Sequence, residues 1–344
     1  MSNKTTETSK AGFKQEIGLF GGVSMLGSIM IGGGIFYLGS YVLQRTDFSM
    51  GLSLLCWVIG GIITMLGGLC FAEMGAMLPK AGGMTVYLNT AFHPLLGFLN
   101  GFNSWLLSGA GSLAAGALAF SAIFGLTGTT GKLVASALMI VFTAYNMLGI
   151  KAGSMFQNFT MVAKLIPIAI IMISAFLMGD VSPDLTILPE GTSFDFSSFI
   201  RMTAFATLAT LWAYEGWINL NTVSEEMKNP KRNLPLSLII AIGGITLLYV
   251  LFNYAIYRVI PADEVRSLID SENFYLGTEV AKRLLGGFGG VIVIIGMTIS
   301  QLGSTNGMAI AFPRTYYAMA AEGHFFKSFA KLHPKYRVPT VPIL

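Results

Sequence analysis

The feature that most constrains this chain is a repeated run of about 20 apolar residues with almost no charge inside it, the length needed to cross the hydrocarbon core of a bilayer as a helix. Eight such runs can be marked, near residues 17–43, 50–77, 95–124, 132–150, 156–179, 199–220, 235–259 and 286–312. In a bilayer they must be helices, because no water is there to satisfy an open backbone. Composition agrees. Of the 344 residues, 53% are hydrophobic and only 11% charged, against about 25% charged in a typical soluble domain. The mean hydropathy is +0.68. A soluble helical protein with a large core is the competing reading, but a core does not call for repeated spans of this length. The expected class is an all-α integral membrane protein.

The basic residues give the orientation. With the amino terminus inside, thirteen of the 21 Lys and Arg fall on inner segments and seven on outer ones, with Lys164 left inside a span. Positive-inside bias therefore predicts a cytoplasmic amino terminus, with residues 1–16 as a short polar tail. The net charge of +4 is spread over loops and gives no nucleic-acid signal. Cys56 and Cys70 share one span and are expected to be buried small hydrophobes. His93, His324 and His333 lie in or near loops, so no cluster of ligands suggests a metal, haem or iron–sulfur site. No cofactor is expected. A membrane enzyme would need a buried His or an Asp–His pair, and no span has one at its centre.

Two spans carry features that weaken a helix. The first contains "IMIGGGIF", with Gly32, Gly33 and Gly34 in succession. Each glycine costs about 1 kcal/mol relative to alanine in a helix interior. The sixth contains "WAYEGWINLN", in which Glu215 and a glycine interrupt an apolar run flanked by Trp212, Tyr214 and Trp217. The second lies five spans after the first, the spacing of two inverted five-helix repeats whose discontinuous helices meet at the bilayer midplane. An unwound helix offers bare amides to an anion and carbonyls to a cation. An amino acid zwitterion carries both. The competing reading of the glycines is a close-packed small-residue face. Lys164, in "MVAKLIPIAI", reads either as a lysine snorkelling to the cytoplasmic surface or as a fixed charge supporting the unwound first helix. Glu215 reads either as a polar group satisfied by nearby backbone or as a gating, proton-linked carboxylate.

At these residues the chain resembles the L-amino acid transporter family of the amino acid–polyamine–organocation superfamily, and within it the bacterial serine/threonine exchangers. The likeness runs from about residue 15 to 344. "IGGGIF" resembles the glycine signature of the first helix. "FAEMGAMLPKAGG" is similar to the end of the second helix and its loop, and "QNFTMVAKLIPI" to the fifth-helix lysine segment. "WAYEGWINLN" with "EEMKNPKRNLP" resembles the sixth helix and the loop after it. "LGSTNGMAIAFPRTYYAMAAEG" with "HPKYRVP" resembles the eighth helix and its exit.

The resemblance implies a LeuT-type inverted-repeat bundle, truncated here after about eight transmembrane helices. Residues 17–179 would form the first five-helix repeat and 199–344 an incomplete second one. It implies that Gly32, Gly33 and Gly34 bind a substrate carboxylate through backbone amides, and that carbonyls near Ile31, Trp212 and Glu215 receive the ammonium. Trp212 and Tyr214 would gate the site. Lys164 would bridge the first helix towards Ser300 and Ser304 of the eighth, giving sodium-independent exchange of small neutral L-amino acids. Import coupled to protons through Glu215 is the alternative. Three departures stand out. Gly33 replaces a serine, Glu215 replaces Gly or Asp, and Met84-Thr85 stand where an acidic residue is common. The loop at 126–132 has no cysteine, so no disulfide-linked heavy subunit is expected. The partners implied are amino acids and the lipid bilayer, with no nucleic acid.

Two further segments tempt other readings. "GLTGTTGK" (125–132) does not complete a phosphate loop, because Leu133 follows the lysine. "FFKSFAKLHPKYR" (325–337) alternates aromatics and bases and is expected to form a membrane-facing cytoplasmic helix.

Overall fold

The computed structural model describes residues 12–188 and 195–344, so eleven residues of the expected tail, with Lys4 and Lys10, lie outside the described residues. Among the described residues regular structure is helical, apart from two isolated β-bridges. Six helical stretches among the described residues are long and apolar enough to cross a membrane: α3 (Met50–Met77), the pair α5 (Pro94–Asn103) and α6 (Gly109–Ile123), α7 (Gly128–Asn146), α8 (Ile150–Met178), α11 (Pro230–Tyr257) and α14 (Gly287–Ala321). The first and sixth expected spans are the interrupted ones. The first divides into α1 (Leu19–Met30), a 3-10 turn at Gly33–Phe36 and α2 (Leu38–Arg45). The sixth divides into α9 (Phe196–Ala213) and the single turn α10 (Asn219–Thr222).

Span ends shift by a few residues where local chemistry sets them. Pro230 opens α11 at the first helical position, where its missing N–H costs nothing. Ser49 accepts the amide of Leu52 to cap α3, and the Asp195 carboxylate accepts from Ser197 and Ser198 to cap α9. The Ser198 hydroxyl, together with these amides, holds the Asp195 carboxyl below the usual carboxylate range. Between α5 and α6 lies a wide, five-residue π-type turn, Ser104–Ser108.

Short helices outside the spans add to the expected plan. These are α4 (Met84–Ala91), α12 (Ala262–Asp270), α13 (Leu276–Leu285) and α15 (Thr340–Ile343). The Glu264 carboxylate of α12 accepts from the Arg283 guanidinium of α13, which lowers its pKa.

Two expectations are corrected. Residues 325–337 form only a 3-10 turn at Lys327–Ala330. The chain then folds back through a Leu332–Pro339 bridge, and His333 Nδ1 accepts the amides of Lys335 and Tyr336. Pro334 lacks the N–H that a helix needs there. Cys56 is buried and bonds towards the Thr203 carbonyl, but Cys70 is exposed on the outer face of α3 beside Leu66 and Leu69. A helix that packs on one stripe and meets lipid on the other carries apolar residues on both, so hydrophobicity alone does not say which face a cysteine takes.

The main core is an apolar cluster in which α1, α11 and α8 pack with α3 and α14, and a small second cluster joins Val86 and Tyr87 to Ala318. The two interrupted spans lie within the main cluster, so both breaks are held by buried side chains and not by lipid.

Candidate functional site

The first break is built from unsatisfied backbone. α1 stops at Met30, and Ile31 (ψ 83°) and Gly32 (ψ −165°) leave the helix before the 3-10 turn begins. The last carbonyls of a helix have no intrahelical donor. Here three buried side chains supply donors. The Lys164 ammonium lies 2.9 Å from Ser28 O and 2.7 Å from Ile31 O. Ser304 Oγ lies 2.9 Å from Ser28 O and 3.0 Å from Ile29 O. The Tyr249 hydroxyl lies 2.9 Å from Met30 O.

The second break faces the first. α9 ends at Ala213, and the chain turns through 214–218 before α10. Gly216 has φ +113°, and a Cβ there would stand 2.5 Å from Ile29 Cγ2, so both its backbone and its neighbour demand glycine. Tyr249 again provides the tie: its hydroxyl lies 3.0 Å from Ala213 O as well as 2.9 Å from Met30 O. One buried side chain on α11 thus joins the ends of both interrupted helices.

Between the breaks lies a cavity of about 630 Å³, walled by the 3-10 turn, the 212–219 turn, α6 and α14. Gly32, Gly33 and Gly34 line it. A Cβ added at Gly33 would find only Met297 Cε, at 3.9 Å, and one at Gly32 only Ser304 Oγ, at 3.6 Å. Neither residue has a positive φ. The protein therefore leaves room for side chains at both positions and does not use it. What needs the bare backbone is the cavity side. The amides of Gly33 and Gly34 open the 3-10 turn and have no carbonyl one turn back to receive them. Glu215 also lines the cavity and is the only Asp, Glu, Lys, Arg or His on its wall among the described residues.

At one end of the cavity stands an aromatic group. Trp212 and Tyr37 have ring centres 6.4 Å apart, and Tyr37 and Tyr275 5.5 Å apart. The other end is bounded by Gly82, Met84 and Thr222, and there the chain is closely tied. Gly82 N donates to Thr222 O, Ser224 Oγ to Lys80 O, and Ala81 N to the Glu225 carboxylate. Glu226, fully buried, receives the Arg314 guanidinium of α14 at 2.7 and 3.3 Å. Its carbonyl accepts the amides of Glu16 and Ile17, which fixes the start of the first span to the same turn.

The sequence-derived candidates do not all reach this cavity. Gly32, Gly33, Gly34, Trp212, Glu215 and Ser304 line it. Ile31 lies just outside, with its carbonyl already accepting from Lys164. Lys164 is wholly buried and reaches α14 through a shared partner, since Ser28 O accepts from both Lys164 and Ser304. Tyr214 points away from the cavity, and its hydroxyl donates to Trp57 O on α3 at 2.9 Å. Ser300 is buried with no hydrogen-bond partner among the described residues. Sequence reasoning missed Tyr249, Gln301 and the serine row of Ser104, Ser108 and Ser112, all on the wall. The fourfold spacing of those serines was the available signal.

Comparison with known proteins gives one answer. The sequence profile of the amino acid permease family matches residues 17–344. The chain is 31% identical over 342 residues to the serine/threonine exchanger SteT of Bacillus subtilis, covering 98% of this chain and 75% of that protein. It is 31% identical over 358 residues to the b(0,+)-type amino acid transporter 1 of Mus musculus, covering all of this chain and 70% of that one. It is 29% identical over 343 residues to the human cystine/glutamate transporter, covering 97% of this chain and 67% of that protein.

Proposed function

Because the chain belongs to the amino acid permease family, as a multi-pass membrane transporter of amino acids and not an enzyme, we propose that it exchanges small neutral L-amino acids of the serine/threonine kind by sodium-independent alternating access. The observation that carries this reading is the unused room at Gly32 and Gly33. Glycine there weakens the span without serving the protein's own packing. A substrate carboxylate brought against the free amides of Gly33 and Gly34 gives it a purpose, the amide of Gly32 being already donated to Met30 O, and the ammonium then falls towards Glu215 and the carbonyls of the second break. Trp212 closes over the occupant. Sodium independence is supported by Lys164, whose tethered ammonium holds the carbonyls that a free cation would otherwise take. The relative named as a serine/threonine exchanger supports the substrate class.

The same reading places the amino terminus in the cytoplasm. It takes 17–179 and 199–344 as the two inverted repeats, rocking against each other around the breaks.

A second reading has a specific observation behind it. Glu215 is the lone charge on the cavity wall among the described residues. A neutral zwitterion leaves that negative charge uncompensated, whereas a proton on Glu215 removes it, so net import coupled to protons is the alternative.

Counterflow in proteoliposomes separates the two. Vesicles preloaded with L-serine should take up labelled serine far faster than empty ones, without sodium. Equal uptake into empty vesicles, rising as the outside is acidified, supports proton coupling instead.

A further inference from the structure

The wall of the cavity formed by α14 presents Met297, Gln301, Ser304 and Met308. The hydroxyl of Ser304 is committed to Ser28 O and Ile29 O, and the methionines are apolar. Gln301 is different. Its Nε2 donates to Gly116 O on α6 at 3.0 Å and to Thr305 Oγ1 at 3.4 Å. Gly116 O can only accept, so it must face the nitrogen of the carboxamide, and the orientation follows from chemistry. Both amide hydrogens are thereby used. The oxygen, Oε1, takes part in no hydrogen bond with any described residue and is not among the sealed, unpartnered polar atoms. Gly116 is what lets this happen, since a Cβ there would stand 2.7 Å from Thr305 Oγ1 and 3.2 Å from Gln301 Nε2.

We propose that Gln301 is a specificity-determining residue: its Oε1 is a fixed acceptor that selects substrates whose side chain carries an uncharged hydrogen-bond donor, a hydroxyl or a carboxamide. This rests on the transport reading above. An oxygen locked by its own amide nitrogen cannot turn to offer a donor, so it discriminates in one direction. A threonine hydroxyl donates to it. The isosteric isopropyl group of valine leaves it unpaired, and an acidic side chain brings oxygen against oxygen. A site built to hydrogen-bond a hydroxyl rejects the analogue lacking it more strongly than an apolar pocket separates a methylene.

The test compares threonine with valine as inhibitors of labelled-serine counterflow by the full chain in proteoliposomes. The unsubstituted protein should prefer threonine by about tenfold or more. Gln301→Leu should bring the ratio to within about twofold, chiefly through loss of threonine affinity. Gln301→Met, closer in shape, serves where the leucine variant does not fold. Equal inhibition by threonine and valine in the unsubstituted protein, or a ratio kept in both variants, overturns the assignment of Gln301 and leaves transport standing. Absence of serine counterflow and of serine uptake altogether overturns the transport reading beneath it.

Discussion

The ammonium of Lys164 stands 2.7 Å from the carbonyl oxygen of Ile31, at the point where the first span stops being a helix. With its second bond, to Ser28 O at 2.9 Å, it replaces two amide donors that the interrupted helix lacks. Both bonds lie in a fully buried environment, where an unpaired carbonyl costs about 1–3 kcal/mol. Lys164→Ala should therefore release the first break from α8. Substrate-induced thermal stabilisation should persist in weakened form while exchange falls by more than about tenfold. Unchanged turnover would mean that the lysine merely fills space.

The glycines call for a graded experiment. Gly33→Ala adds a methyl into open cavity, with its nearest neighbour Met297 Cε at 3.9 Å, so the protein should fold normally. Gly33→Leu should fold as well, yet abolish substrate binding, because the side chain fills the approach to the amides. The two variants need the same expression and melting behaviour for the comparison to count. Retained binding in the leucine variant sinks the carboxylate assignment.

Tyr249 spans both breaks with one hydroxyl hydrogen shared between Met30 O at 2.9 Å and Ala213 O at 3.0 Å. Tyr249→Phe keeps the ring packing against Trp57 and Tyr214 and removes only the tie. A buried bond of this kind is worth about 1 kcal/mol, so stability should drop slightly. The exchange rate should change more than the melting temperature, since the lost contact couples the two elements that bracket the cavity. A change confined to stability would make the hydroxyl an ordinary core bond.

How much of this was legible beforehand follows from what each residue needs in order to be noticed. Three glycines in a row and a carboxylate beside a glycine are anomalies within an apolar span, and both breaks lie where those anomalies are. Lys164 stands out as the base well inside a span, away from either end. Tyr249 and Gln301 do not, because a tyrosine or glutamine in an apolar run is compatible with any face of its helix, and only the partner across the gap gives it a role. Tyr214 shows the converse. It sits between residues of the break in sequence, yet the turn carries its ring towards Trp57. Residues 325–337 alternate aromatics and bases as an amphipathic helix would, but Pro334 ends that pattern before a helix can form.

The pair that joins α12 to α13 makes a pH prediction. The Arg283 guanidinium holds the Glu264 carboxyl below its ordinary value. A carboxylate with a depressed pKa contributes stability that is present above its unfolded value and lost as pH falls through the folded one. Amide protection in α12 and α13, taken relative to the intrinsic exchange rate at each pH, should accordingly fall as the medium is acidified through and below the normal glutamate range. Glu264→Gln should show the lower protection already at neutral pH and little further change on acidification. The effect should be small, because the pair is partly exposed.

The buried pair of Glu226 and Arg314 allows a sharper test of what closes the other end. Both side chains are within 1% of full burial, and the guanidinium also bonds Ile310 O. Removing one member leaves the other charged and unpaired inside the protein, which costs about 3–5 kcal/mol. Glu226→Gln or Arg314→Met should thus lower the melting temperature steeply, whereas the double substitution Glu226→Leu with Arg314→Met should recover much of the loss, because two apolar side chains leave no orphaned charge. If the pair also serves as a latch between the 224–228 turn and α14, the double variant should remain folded yet open more readily at this end. A cysteine placed at Thr222, on the cavity wall, would then react faster with a thiol reagent supplied from that side. Recovered stability with unchanged labelling would assign the pair to folding alone.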